Sequence, residues 1–447
     1  MTQDSPDSDN ASVTLPPSLP PKPVTTRHPP PNHDDPSPPR KRPRIQSSPK
    51  APSTKTTSEM AHLPPARFPI QPLNRFQGAS ASIKRPREVA HFSYDDEHTY
   101  REDESSINYY HPPQIGADLK EGFDTFRQHE DTEDPHLDSL LKTLVSKERK
   151  EGERIQADFV TWRGMMTKIL TAPFDFFAEF DMFATLHDGT IYIEEDFPKR
   201  AADRAAEATR PPPGHQNPDQ QSHKMMTFWG YKFETLSLLP TPPPSTPAAV
   251  IENRPNAVVS NHAQHCSIIR TSFGPHSLIF GGEVDGLWGP KPSPSSDDPI
   301  PWIELKTAEE LSPAHRRTER DVLKFERKLL KFWAQSFLLG VGKVIVGFRS
   351  KAGILRGVDV YETNQIPGMV RRGTRCWDGN TCINFATAFL AFLKQEVKEE
   401  GVYKITLGKK AGVVEVKKVQ GEGTGNIVSK EFLEWRGRKN GNQTDSS

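Results

Sequence analysis

Phe280–Thr307 reads FGGEVDGLWGPKPSPSSDDPIPWIELKT: two short apolar runs joined by a link rich in proline and serine. Glu283 and Asp285 close the first run, and Glu304 and Lys306 lie in the second. Residues two apart on a strand share a face, so Glu283 points with Asp285 and Glu304 with Lys306. Val284 and Leu305 then point into the opposite layer. The turn-rich link predicts a hairpin that gathers the four charged groups at one end of one face. Gly281 and Gly282, just before, leave room for a ligand or a close backbone. Two readings follow. In one, the charges form surface ion pairs at a solvated hairpin tip. In the other they converge on hard divalent cations, because clustered carboxylates without cations repel one another. Trp302, Ile303 and Leu305 surround the charges with core residues and favour the second reading. Two ions, Mg²⁺ or Mn²⁺, about 4 Å apart could hold the attacking and leaving oxygens of a phosphoryl transfer, with Lys306 on a phosphate oxygen.

Outward from this segment the chain alternates helical and strand-like patterns. Leu137, Leu140, Leu141, Leu144 and Val145 follow helical spacing, as do Trp162, Met165, Met166, Ile169 and Leu170 up to Pro173. Strands are expected at DGTIYIEED, at residues 267–271, 277–288 and 301–306, and at KVIVGFRS. Helices are expected at MMTFWGYKFETLSLL, over residues 320–339, and around CINFATAFLAFLKQEVKEE, and residues 199–220 read as a loop. The fold class is α/β (mixed α+β): a single domain with a central mixed β-sheet flanked by helices.

Hydrophobic residues make up 34% of the 447, and there are 43 prolines, which predicts a folded body with extensions that cannot bury enough surface to order. Residues 1–67 are assigned to such a tail, 68–436 to the folded domain and 437–447 to a second tail. Net charge is +0, so affinity for a polyanion must come from a local patch. Three cysteines are too few for a disulfide framework and suit a reducing compartment. MTQDSPDSDN lacks a secretory pattern, and the most apolar window, interrupted by Gln335 and Lys343, reads as core, so no membrane partner is expected. RKRPR, Arg40–Arg44, has the form of a nuclear-import address, although a solvated charge run has the same composition.

Other candidates surround the acidic pair of strands. Glu234 closes the aromatic turn GYKFE and either completes a metal shell or is an exposed helix carboxylate. Lys324, Lys328, Lys331 and Gln335 make one helical stripe that fits a phosphate backbone or a solvated face, and Arg163 beside Trp162 has the same two readings. GVGKV lacks the spacing of a phosphate-binding loop. NHAQHC supplies His262, His265 and Cys266, but no second pair at zinc spacing accompanies it. No G-x-S-x-G elbow supports serine hydrolase chemistry.

RPREVAHFS, INYYHPP, DFVTWRGMMTKIL, GYKFE, GGEVDG, WIELKT and KFWAQSFLLGV, in this order, resemble the DXO-type RNA decapping nucleases, whose fungal branch partners the nuclear 5′→3′ exoribonuclease. The paired E-x-D and E-x-K are also similar to the broader PD-(D/E)xK nuclease core. The resemblance implies that Glu234, Asp285, Glu304 and the backbone carbonyl of Leu305 bind metal, with Glu283 serving the second metal or the attacking water. It implies that Lys306 and Gln335 touch the scissile region of an RNA, that Trp162, Arg163 and Gly164 face the substrate 5′ end, and that Cys266 is close to it. His98 and Pro135 stand where animal members have Arg and Glu, so those contacts are not carried over. The implied activity is metal-dependent hydrolysis of RNA 5′ ends bearing a triphosphate, an incomplete cap or an NAD cap, in the nucleus, in RNA quality control and rRNA processing. Two other readings stand beside it: a non-catalytic subunit that stabilises the exoribonuclease, and a nuclease of duplex DNA.

Overall fold

A computed structural model describes residues 64–208, 222–293, 296–312 and 314–437. From the N-terminus come β1 (Ala66–Pro69), the long β2 (Ile83–Tyr94), and the short β3 (Tyr100–Arg101) and β4 (Tyr109–Tyr110). Helix α1 (Asp138–Glu151) leads to β5 (Phe159–Trp162), α2 (Arg163–Thr171) and a hairpin, β6 (Phe180–His187) with β7 (Thr190–Glu195). Helices α3 (Phe197–Ala208) and α4 (His223–Ser237) precede β8 (Leu238–Leu239) and α5 (Ala248–Asn253). Next are β9 (Gln264–Phe273), β10 (His276–Glu283), β11 (Gly286–Leu287) and β12 (Trp302–Glu309). Helix α6 (Glu319–Leu339) joins β12 to β13 (Lys343–Arg349), followed by β14 (Leu355–Glu362), α7 (Ile366–Arg372) and α8 (Gly379–Glu396). The hairpin β15 (Val402–Leu407) with β16 (Val413–Gln420) and helix α9 (Lys430–Gly437) end the described chain.

Among the described residues the strands form two mixed sheets, not one. Ten strands run in the order β1-β16-β15-β6-β7-β5-β10-β9-β2-β3, and six in the order β14-β13-β12-β11-β4-β8. Both are buried on two sides, as alternate residues show. In the large sheet, Phe159, Ile269, Leu278 and Phe280 pack into one layer while Val160, Ile268 and Ile279 pack with the α1 leucines into the other. In the small sheet, Ile303, Leu305 and Ile345 meet Phe228, Trp229 and Phe233 of α4, whereas Trp302, Val344 and Val346 face α6. A shared layer of α2, α6 and α8 therefore serves both sheets.

Local signals set the helix ends that matter here. Thr318 and Asp321 form a reciprocal capping box at the start of α6, and Gly340 closes it with φ 72°. Helix α4 starts where the Ser222 hydroxyl accepts from the Met225 amide.

Three expectations change. The single strand expected at 277–288 is two strands in different sheets, because β10 pairs with β9 and β5 while β11 pairs with β12 and β4. The loop expected from residue 199 is helical through Ala208, where the alanine-rich run FPKRAADRAAEA outweighs the prolines that follow; residues 209–221 lie outside the described residues. The folded body also begins before residue 68, since Ala66 and Arg67 pair with Val416 and Glu415. Arg40–Arg44 lies outside the described residues. No helix among those described is long and apolar enough to cross a membrane.

Candidate active site

The acidic residues meet where the chain crosses from one sheet to the other. Glu283 is the last residue of β10 and pairs with Cys266; Val284 and Asp285 make the crossing, and Gly286 opens β11 opposite Ile303. The crossing is pinned by two bonds. The Val284 amide donates to the His265 carbonyl at 3.0 Å, and the Leu305 amide donates to Asp285 Oδ2 at 2.6 Å. The expected hairpin thus exists as the two-residue ladder β11/β12, which brings Asp285 alongside Glu304.

Glu304 is buried at 1% exposure, and its two oxygens are both taken by cations. Lys306 Nζ is 2.5 Å from Oε1 and Arg163 Nη1 is 3.1 Å from Oε2. Glu304 and Lys306 share a face of β12, as their spacing predicts, and Leu305 points into the opposite layer. Arg163 also donates to the Glu283 carbonyl at 3.0 Å. It begins α2 directly after β5, and bare glycines make the approach possible. A Cβ on Gly282 would stand 2.9 Å from Arg163 Cβ, and one on Gly281 would stand 2.7 Å from the Trp162 ring. The sequence offered Arg163 as a substrate contact; in the fold it is first an internal counter-ion, a role set by a partner 141 residues away.

Glu234 arrives from α4 on the far side of the small sheet and joins the same field. Four carboxylates face two cations, so two negative charges are left without protein partners. Burial first, and then Asp285 and Glu283, push the Glu234 carboxyl well above its usual range. Burial and the Glu304 charge raise Asp285 to about 7, and burial raises Glu283. Burial also works against ionised Glu304, but Lys306 and Arg163 outweigh it and hold that carboxyl low. The same carboxylates raise Lys306 despite its burial.

An excess of confined negative charge on an all-oxygen donor set fits a hard divalent cation, which would replace the protons that Glu234 and Asp285 otherwise take up. Glu234, Glu283, Asp285 and Glu304 would hold it, with the Leu305 carbonyl as a backbone donor.

The remaining candidates divide. Trp162 lies against Gly281 and donates from Nε1 to the His136 carbonyl at 2.8 Å, whereas a Cβ added at Gly164 would meet nothing within 4 Å. Cys266 is buried beside Glu283, and burial raises its thiol. Gln335 is half-buried on α6 one turn before Leu339, whose Cδ1 meets the Gly282 position. The amine stripe is largely spoken for: Lys324 pairs with Glu309 at 2.8 Å and Lys331 with Asp175 at 3.0 Å. Sequence reasoning missed Tyr231, half-buried on α4, whose hydroxyl is raised by burial and by Glu234 and Glu283. It sits one helical turn from Glu234, a spacing that could have flagged it.

Tyr231, Glu234, Glu283 and Asp285 line a cleft of ≈ 490 Å³ together with Asn108 and Gln264. A larger cavity, ≈ 1020 Å³, holds none of these acids; there Glu88 and Glu104 are already paired with Lys291.

Residues 84–433 match the RAI1-like PD-(D/E)XK nuclease family. A decapping nuclease RAI1 of Aspergillus fumigatus is 50% identical over 372 residues, covering 83% of this chain and 98% of the relative. The structure of Candida albicans Rai1 in complex with pU5 and Mn²⁺ superimposes with a TM-score of 0.73 at 29% identity, covering 82% of this chain and 98% of that one. Scheffersomyces stipitis Rai1, solved with (3′-NADP)⁺ and a calcium ion, gives 0.72 at 27% identity, covering 80% and 97%. The matched span contains every acid of the crossing together with Lys306 and Arg163, so the chain is a hydrolase of the nuclease class and belongs to the RAI1-like PD-(D/E)XK nuclease family.

Proposed function

We propose that the chain hydrolyses RNA 5′ ends, removing pyrophosphate from a 5′-triphosphate, an incomplete cap, or NAD from an NAD cap, and leaves a 5′-monophosphate. The observation that carries this reading is the convergence of Glu234, Glu283, Asp285 and Glu304 beside Lys306 at one sheet-to-sheet crossing. Relatives named decapping nucleases, and a neighbour holding pU5 with Mn²⁺, support it.

A bound divalent cation, Mg²⁺ or Mn²⁺ and in our reading two ions, supplies Lewis acidity toward the phosphoryl group and the attacking water. The chain's own residues do the rest. Glu283, its carboxyl raised by burial, is suited to take a proton from that water. Lys306 places an ammonium against the phosphate, and Arg163 keeps Glu304 ionised and oriented. Trp162 and Gly164 border the path of the 5′ end. Water attacks the phosphorus of the first retained nucleotide and the bond to the leaving group breaks: pyrophosphate leaves from a triphosphate, and from a capped end the 3′ oxygen of the departing cap nucleotide or NAD leaves and takes up a proton, so that the retained RNA keeps one phosphate. A site that grips the retained phosphate need not read the leaving group closely, which lets one centre serve several caps.

The 5′-monophosphate is the form a 5′→3′ exoribonuclease takes next, and we propose such a nuclear enzyme as partner, with the Arg40–Arg44 cluster directing import. Product analysis on triphosphorylated, guanosine-capped and NAD-capped RNA tests the reading. The expected result is monophosphorylated RNA from at least one of the three with Mn²⁺. Cleavage of duplex DNA alone, or no product while an exoribonuclease is still stabilised, would overturn it.

A further inference from the structure

Among the described residues, three groups of side chains bring metal-ligating atoms within 4.8 Å of one another, and none of them includes an acid of the crossing. In the group Glu88, His91 and Glu104, the Lys291 ammonium already sits 2.9 Å and 2.5 Å from the two carboxylates. Asp134, His136 and Glu194 supply one imidazole only. The group His98, His129 and Asp131 supplies two, and a third ring, His262, stands edge-on to both, with centroids at 6.4 and 5.5 Å.

We propose that His98, His129, His262 and Asp131 form a second metal site, selective for a borderline transition ion such as Zn²⁺ and separate from the all-oxygen centre. Imidazole with one carboxylate is a donor set for such ions, whereas Mg²⁺ and Mn²⁺ prefer oxygen. His262, whose NHAQHC motif lacks a second ligand pair at zinc spacing in the sequence, finds that pair in the fold, 164 residues back at His98 and also at His129.

Four features support the assignment. His98 Nδ1 is 2.9 Å from the His262 carbonyl; donating there, it leaves the lone pair of Nε2 free, the arrangement by which a ligating histidine is usually oriented. His262 Nδ1 is buried with no hydrogen-bond partner. His98 itself is held at φ 58°, a conformation costly for a residue other than glycine, by a turn in which Asp95 accepts from the Glu97 and Thr99 amides. Apart from the His129 ring, the only partner of Asp131 among the described ion pairs is Arg200, at 3.8 Å.

The rings of His98 and His129 are stacked at 3.6 Å and 22°, which sets their in-plane lone pairs side by side. Ligation of one ion therefore turns the His129 ring, 30% exposed, out of the stack and draws the ligand atoms in to about 3.3 Å. The ion would tie together three segments: the β2–β3 turn, the loop before α1 and the run before β9. These segments are already joined by His129 N to Asn261 Oδ1 at 2.6 Å and Arg127 Nη2 to the Asp96 carbonyl at 3.1 Å. Asp96, Ser260 and Gln264 line the same cleft as Glu234 and Asp285, so the ion braces its rim.

The test is calorimetric titration of the chelator-treated full chain with Zn²⁺ alone, in buffer containing Mg²⁺. One saturable equivalent is expected, weakened at least about 10-fold, the lower end of what loss of a mere orienting partner costs, in both His98→Gln and His129→Gln and unchanged in Asp285→Asn. X-ray absorption at the zinc edge of the wild-type chain, which does not depend on any variant folding, should show at least two imidazole nitrogens. No saturable equivalent, wild-type affinity in either histidine variant, or a shell of oxygen alone would overturn the proposal.

Discussion

Asp285 faces three other carboxylates, and the partners that offset them are one amide N–H, Lys306 and Arg163. Its carboxyl is raised to about 7 from 3.8, so the cost of ionising it grows as pH rises through that interval. In metal-free protein at pH 8, Asp285→Asn should therefore stabilise the fold by about 1–3 kcal/mol, seen as a higher Tm, and saturating Mn²⁺ should reverse the order. Glu88 behaves in the opposite sense. Burial opposes its charge, but His91, Lys291 and Ser267 hold its carboxyl down at about 2. Its contribution is complete above about pH 4.5 and is lost as pH falls toward 2. The Tm difference between wild type and Glu88→Gln should be largest near neutrality and vanish by about pH 2. At this scale the sequence is most legible where chemistry follows local spacing. The two-residue period alone groups Glu283 with Asp285 and Glu304 with Lys306. Arg163 is visible as a residue but not as the partner of Glu304, because nothing local encodes a pairing across two sheets.

The stretch from Gly281 to Leu287 keeps one apolar rhythm, yet it changes sheet at Val284–Asp285. Pairing partners decide that change: β9 on one side of the crossing and β12 on the other. Neither is visible in the stretch itself, which is why its rhythm reads as one strand. The glycines before the crossing make it testable. In Gly282→Ala, the added methyl would lie 2.9 Å from Arg163 Cβ and from Leu339 Cδ1. A destabilisation of about 1–3 kcal/mol is expected, together with at least tenfold loss of kcat as Arg163 is displaced from Glu304. Gly164→Ala meets nothing within 4 Å and should leave Tm unchanged within a degree or two, so any loss of activity there would report on substrate. Thermal melts beside steady-state kinetics on the same pair of variants separate the two effects. Helix α3 escapes a sequence reading for a related reason: its alanine-rich turns run into RPPP, and composition averaged over both reads as loop.

Across the whole molecule, two sheets share one helical layer, and α9 locks the outer face of the larger sheet. Arg436, 4% exposed, reaches Glu148 of α1 at 2.6 Å, and Trp435 donates to the same carboxylate at 2.7 Å. Removing the arginine leaves a buried carboxylate short of its charge partner, so Arg436→Ala should cost about 3–5 kcal/mol by denaturant unfolding while sparing the acids of the crossing. The sequence conveys the mixed α/β class through alternating periods, but it does not convey that the strands among the described residues divide ten and six. That division depends on β1, β15 and β16, which pair with one another from opposite ends of the chain. The catalytic account rests on the crossing between the sheets, and one measurement addresses it most directly: Mn²⁺-dependent pyrophosphate release from 5′-triphosphorylated RNA, wild type against Asp285→Asn. Wild type should yield monophosphorylated RNA and the variant should be slower on the order of 10²–10³-fold, with its fold intact. Release at the wild-type rate by the variant would contradict the account.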